Sequence, residues 1–273
     1  MIIKYSGFNI YAESKSIFRP PSGFIFFLHG FTGSSEDWDK ITPKINSRFA
    51  CAVIDLIGHG KSDSPEEFVY YRADSITDQI LISINAFTEE KIILAGYSMG
   101  GRAALNFAVK YPERVKGLIL ESASPGIKSE EERKIRIKKD TELAQFISSC
   151  TIEEFVDYWM NQDLFATQLR FSKFKREEIR KQKLKNSKTG LVNCLNYFGT
   201  GAMLPLYDQL PNITCKTLLV TGGLDSKFTQ LNSWMLKNFR SAKHIIINTA
   251  GHNTHLEEPS KFIQAVNQFL EKF

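Results

Sequence analysis

Short, uninterrupted apolar runs alternate with longer helical patterns along this chain, and that rhythm limits what it can fold into. Phe24 to Leu28, Ala50 to Ile54, Ile92 to Ala95, Leu118 to Leu120, Thr217 to Val220 and His244 to Ile247 each read as a strand. Continuous rather than alternating apolarity marks strands buried on both faces, as in a parallel sheet covered by helices. The segments 75–88, 99–110, 229–239 and 259–272 have helical spacing, and Pro112 closes the second. The fold class is therefore α/β, a mostly parallel sheet flanked by helices.

Between residues 127 and 205 the rhythm stops. That stretch is helical in pattern, charged and rich in aromatics, and strand–helix units resume at Thr217. We expect a core built from residues 1–126 and 206–273, with residues 127–205 inserted as a helical cap. A chain of 273 residues suits one α/β domain with an insertion better than two independent domains. No apolar run reaches the roughly 18–20 residues that a membrane span needs. The opening Met1-Ile2-Ile3-Lys4-Tyr5-Ser6-Gly7 lacks a basic segment followed by an apolar one. No signal peptide is expected, and the cytoplasm is the expected location. The cysteines, Cys51, Cys150, Cys194 and Cys215, form no C-x-x-C pair, which argues against zinc and redox motifs.

The net charge is +5, and its placement is informative. Residues 126–190 hold 15 Lys or Arg against 11 Asp or Glu, a difference of +4. Many of these charges belong to solvated helix faces, but their excess describes a lid that attracts an anion. No basic stripe is interleaved with aromatics, so nucleic acid is not an expected partner.

Gly96-Tyr97-Ser98-Met99-Gly100 follows one strand and opens one helix. This G-x-S-x-G pattern is a nucleophile elbow in its required context, and it points to the α/β-hydrolase fold. Glycines two before and two after the serine let strand and helix pack closely around a strained turn. A serine hydroxyl needs a neighbouring imidazole to become reactive. His252, in Ala250-Gly251-His252-Asn253, falls just after the last strand and beside the elbow. His255, which begins the final helix, is the alternative base. His244 reads as a strand residue, and His29 and His59 as residues that brace glycine loops. Asp225, after the strand ending at Thr221, would orient the imidazole. The order Ser98, Asp225, His252 is the order of this fold. His29-Gly30-Phe31-Thr32-Gly33 would supply the Phe31 N–H, and the elbow the Met99 N–H, as an oxyanion hole. Asp55-Leu56-Ile57-Gly58-His59-Gly60 is a second glycine loop to which no chemistry is assigned.

Several motifs resemble one branch of that superfamily, the 2-succinyl-6-hydroxy-2,4-cyclohexadiene-1-carboxylate synthases. They are Gly96 to Arg102, Leu120-Glu121-Ser122-Ala123-Ser124-Pro125-Gly126, Tyr197-Phe198-Gly199-Thr200-Gly201, Gly223 to Phe228 and Ala250 to Glu257. The resemblance implies a menaquinone-pathway lyase. Its substrate, a cyclohexene, carries a succinyl ketone, a ring carboxylate and an enolpyruvyl ether. The triad would take the proton α to the ketone, and the enolpyruvyl group would leave as pyruvate. An enolate oxygen needs the same oxyanion hole as a tetrahedral intermediate. No metal or organic cofactor is implied. The partner is a small polyanionic substrate, with no membrane and with the chain a monomer or weak homo-oligomer.

The same resemblance assigns carboxylate binding to Arg102 and Arg136, with Arg133 the neighbour most easily confused with the latter. It places Trp159 and Tyr97 around the nucleophile. Lys183 stands where a third arginine is usual, with Lys185 and Arg180 as alternatives; lysine keeps the charge but loses the bidentate fork. Ile57 replaces a proline usual in its loop. A carboxylester or carbon–carbon-bond hydrolase would share triad and oxyanion hole but would not need the cations. A non-catalytic binding protein would not need an intact Ser98, Asp225 and His252.

Overall fold

The computed structural model describes residues 1–15 and 22–273. Eight strands form one sheet: β1 (Ile2–Tyr5), β2 (Phe8–Ser14), β3 (Phe24–Leu28), β4 (Ala50–Ile54), β5 (Ile92–Tyr97), β6 (Val115–Glu121), β7 (Lys216–Gly222) and β8 (Ala242–Ile247). Their order is β1-β2-β4-β3-β5-β6-β7-β8. β2 runs antiparallel to both β1 and β4, and the remaining pairs are parallel. Every apolar run expected to be a strand lies within one. β1 and β2 escape that criterion because they form a half-buried hairpin at the sheet edge. Phe8, Ile10 and Ala12 point inward and alternate with partly exposed neighbours. Ser6 and Gly7, both at positive φ, make the two-residue turn between them.

The central strands show why their sequences are continuously apolar. On one face Phe26, Leu28, Ala52, Ile54 and Leu94 pack against α1 (Ala73–Asn85) and α2 (Met99–Lys110). On the other, Ile25, Phe27, Val53, Ile93 and Ala95 meet Trp38, Ile41, Phe262, Val266 and Phe269. Burying each large apolar side chain contributes roughly 1.5–3 kcal/mol, so both faces drive assembly.

Between β6 and β7 the regular elements are all helical: α3 (Glu130–Ser149), α4 (Ile152–Met160), a 3-10 turn at Asp163–Arg170, α5 (Lys173–Lys183), α6 (Lys188–Phe198) and a second 3-10 turn at Tyr207–Asn212. Ser129, Thr151, Ser172 and Ser187 cap these helices, and Thr151 and Glu154 form a reciprocal capping box. The segment has a small core of its own, in which Ala144, Ile147, Phe155, Val156, Leu191 and Leu195 pack together. Its two ends are tied by the Leu206 N–H, which donates to Pro125 O at 2.7 Å. Gly190 seats α6 directly on the Gly58 backbone. A Cβ at Gly190 would lie 2.2 Å from Gly58 O, so only glycine permits this approach.

After β7 come α7 (Ser226–Leu236), the one-turn α8 (Thr254–Glu257) and α9 (Pro259–Leu270). α7 begins three residues before the helical spacing expected from the sequence, because Asp225 serves as its N-cap and accepts the Phe228 N–H. His255 lies in α8 and not at the start of the final helix, since Asn253 caps a separate turn.

Candidate active site

Ser98 occupies the tip between β5 and α2 with φ 49° and ψ −104°, a strained conformation for a non-glycine residue. The flanking glycines make that turn possible. A Cβ at Gly96 would lie 2.3 Å from Gly100 O, and one at Gly100 would lie 2.3 Å from Leu28 O. Ser98 Oγ is 3.0 Å from His252 Nε2, and His252 Nδ1 is 2.7 Å from Asp225 Oδ2. The carboxylate can only accept, so Nδ1 carries the proton and Nε2 is free to accept from the serine hydroxyl. Tyr97 and Phe228 enclose the His252 ring, at 5.4 and 4.5 Å between centroids. The structure thus brings together the three residues that the sequence assigned to a triad.

Met99 opens α2, so its N–H has no acceptor within the helix. Among the described residues the Phe31 N–H also has no backbone acceptor. Both residues line the chamber that contains Ser98 and His252, a cavity of about 190 Å³. Trp159 closes the chamber from α4, with its ring 5.3 Å from that of Phe31.

Arg102 and Arg136 line the same chamber, together with Tyr97, Asp140 and Lys227. Arg102 Nη2 donates to Phe198 O at 2.9 Å, while its Nε has no partner. Burial, and after it the nearby Arg136, push the Arg102 guanidinium down to about 10. Arg136 Nε donates to Asp140 Oδ1 at 2.8 Å, and Asp140 Oδ2 is left without a partner. Burial raises the Asp140 carboxyl above its ordinary value, and Arg136 opposes the rise. Arg133, the neighbour to be distinguished from Arg136, donates to Gly201 O instead.

Lys183 lies elsewhere. It lines an adjoining chamber of about 330 Å³ that shares Phe31, Tyr97 and Phe165 with the first but does not include Ser98. Its Nζ donates to Thr32 Oγ1 at 2.8 Å. That chamber holds Glu36, Asp37, Asp39 and Glu178 against Lys40, Lys175 and Lys183, so it is the smaller chamber that concentrates positive charge. The alternatives to Lys183 are paired at the surface, Lys185 with Glu36 and Arg180 with Asp157.

The other histidines have structural partners. His255 Nδ1 meets Glu121 Oε2 at 2.6 Å, and the Trp38 ring stacks on it. His244 Nε2 is 2.8 Å from Thr221 Oγ1. The Leu56 N–H donates to His29 Nε2, and His59 Nδ1 contacts Ile57 O. Burial pushes His29 down to about 4 and His59 to about 3. Above the unfolded value near 6.5 both forms of the chain carry neutral rings. Below it the unfolded chain takes up protons that the native state refuses. Stability is therefore expected to fall from pH 6.5 towards 4, and less steeply in His59→Gln. Denaturant unfolding at pH 7 and pH 5 checks this; equal losses in both proteins would contradict it.

Lys227 and Asp140 are the charged chamber residues that sequence reasoning does not assign to the site. Lys227 does fall within the Gly223 to Phe228 motif, two residues after Asp225 in the first turn of α7.

Comparison with known proteins shows the family. The α/β-hydrolase-fold family matches residues 23–259. A Bacillus subtilis (strain 168) protein, provisionally named 2-succinyl-6-hydroxy-2,4-cyclohexadiene-1-carboxylate synthase, is 40% identical over 89% of this chain and 88% of its own length. The Serratia proteamaculans (strain 568) protein of the same name is 28% identical over 90% of this chain and 92% of its own. The solved structure of MenH from S. aureus superposes with a TM-score of 0.90 at 31% identity, covering 98% of this chain and 99% of that one. The chain belongs to the α/β-hydrolase-fold family and, within it, to the 2-succinyl-6-hydroxy-2,4-cyclohexadiene-1-carboxylate synthase family.

Proposed function

We propose that the chain eliminates pyruvate from 2-succinyl-5-enolpyruvyl-6-hydroxy-3-cyclohexene-1-carboxylate, as a lyase of menaquinone biosynthesis. The observation that carries this reading is the coupling of a triad to a cation-rich chamber. Three cations, Arg102, Arg136 and Lys227, line the chamber with Ser98, against one carboxylate, Asp140, which pairs with Arg136. Arg102 has no carboxylate partner among the described residues, and leaving such a cation unpaired away from water is costly, so a polyanionic substrate would pair it.

The chemistry follows from the arrangement. Ser98 Oγ, its proton drawn towards His252 Nε2, accepts the ring C2 proton α to the ketone. The ketone oxygen becomes an enolate held by the Phe31 and Met99 N–H groups. Electrons then move to form the C2–C3 and C4–C5 double bonds as the bond from C5 to the enolpyruvyl oxygen breaks. The departing enolate takes up a proton and becomes pyruvate. Asp225 keeps His252 in the required tautomer throughout. Residues 127–205 act as the cap over this step, with Trp159 as its inner wall, on a core formed by residues 1–126 and 206–273. A diffusible polyanion as substrate implies an enzyme that works in the cytoplasm.

A serine hydrolase would use the same triad, so substrate choice tests the proposal. Pyruvate should be released readily from the cyclohexene, while p-nitrophenyl acetate is cleaved slowly. Efficient ester cleavage with the cyclohexene left intact would move the chain to the hydrolases.

A further inference from the structure

Lys227 is a cation with no carboxylate partner among the described residues. It lies in the first turn of α7, is exposed, and lines the chamber with Ser98, Arg102 and His252. Among the described residues it joins no ion pair or side-chain hydrogen bond; the Phe228 ring lies 5.8 Å from its ammonium. The helix dipole disfavours a lysine at this end of a helix. Its position is thus hard to explain by stability.

The same chamber is lined by residues with buried hydrogen-bond donors that lack partners among the described residues: Arg102 Nε and Trp159 Nε1. Buried polar groups in folded proteins are nearly always hydrogen-bonded, so these mark the walls of a ligand site. A ligand rich in oxygens and carrying several negative charges fits both them and the cations.

The substrate, on the reading given above, has three carboxylates. Its succinyl arm at ring C2 and its enolpyruvyl group at C5 stand at opposite corners of a six-membered ring. They must therefore reach opposite sides of the chamber when C2 is at Ser98. Arg102, bonded to Phe198 O, and Arg136 of α3 are held against the inserted helices. Lys227 belongs to α7 on the core side and is the one of these three cations that is exposed, so it lies towards solvent. The fragment that must depart is best placed towards solvent. We propose that Lys227 holds the carboxylate of the leaving enolpyruvyl group and releases it with pyruvate.

The test compares wild type with Lys227→Met and Lys227→Arg, each checked by thermal melting. The Met variant should raise KM for pyruvate elimination about tenfold, with a smaller fall in kcat, and the Arg variant should recover most of the loss. Pyruvate, used as a product inhibitor, should bind the Met variant about tenfold more weakly. A KM within about twofold of wild type would overturn the proposal. So would a raised KM with pyruvate affinity unchanged, which would place Lys227 on another carboxylate. Should wild type release no pyruvate, the reaction assignment fails separately. Direct titration with pyruvate then decides for Lys227: weaker binding to the Met variant supports it, and equal binding refutes it.

Discussion

Ser98→Ala is expected to slow pyruvate release by at least about a thousandfold while the protein still folds. The hydroxyl is the group that meets the carbon acid, and no other side chain shares its hydrogen bond to His252 Nε2. The residue sits on a turn built by Gly96 and Gly100, so alanine removes one oxygen and leaves the elbow's packing in place. His252→Ala and Asp225→Asn should also be severe. Their effects should not add to that of Ser98→Ala, because the three act as one unit. A single-turnover measurement with each variant checks this. Turnover of Ser98→Ala within about tenfold of wild type would contradict the mechanism.

Arg102→Ala and Arg136→Ala form the second large expectation. Each should lower kcat/KM for the cyclohexene by roughly 2–5 kcal/mol, the usual cost of removing one partner of a buried charge pair. The two variants differ in what they leave behind. Without Arg136, Asp140 becomes a buried carboxylate that has lost its 2.8 Å partner, so a lower melting temperature should accompany the kinetic loss. Without Arg102, the Phe198 carbonyl loses its donor and the packing of the arginine stem disappears. Cleavage of p-nitrophenyl acetate separates the two contributions. That substrate has no carboxylate for either arginine, so its slow hydrolysis should change little. A parallel loss on both substrates would show that the variants damage the fold and not recognition. Lys183→Ala should matter less, because its ammonium faces Thr32 in the neighbouring chamber.

Much of this site was legible in the sequence, and physical reasons separate what was from what was not. The elbow is readable because strand, strained turn and helix are contiguous, so its glycines fall at fixed spacing around Ser98. Asp225 and His252 are readable because chain order and strand ends determine which loops meet at the carboxyl edge of a parallel sheet. β1 and β2 were missed because an edge hairpin signals itself by alternation, which Phe8, Ile10 and Ala12 show only over a few residues. The Glu121–His255 pair spans 134 residues and leaves no local pattern. Lys183 and Lys227 mark the same boundary from opposite sides. Sequence reasoning assigns Lys183 to the site and leaves out Lys227, although the latter lies inside a family motif; only the packing of α5 and α7 decides which chamber each one lines.

The central claim is that Ser98 and His252 take a proton from carbon, and that pyruvate departs as a consequence. Product stoichiometry tests it most directly. Wild-type protein is incubated with the cyclohexene while the conjugated diene is followed by absorbance and pyruvate is quantified enzymatically. Diene and pyruvate should appear together, one for one, and neither should appear at a comparable rate with Ser98→Ala. Pyruvate without diene, or no pyruvate at all, would contradict it.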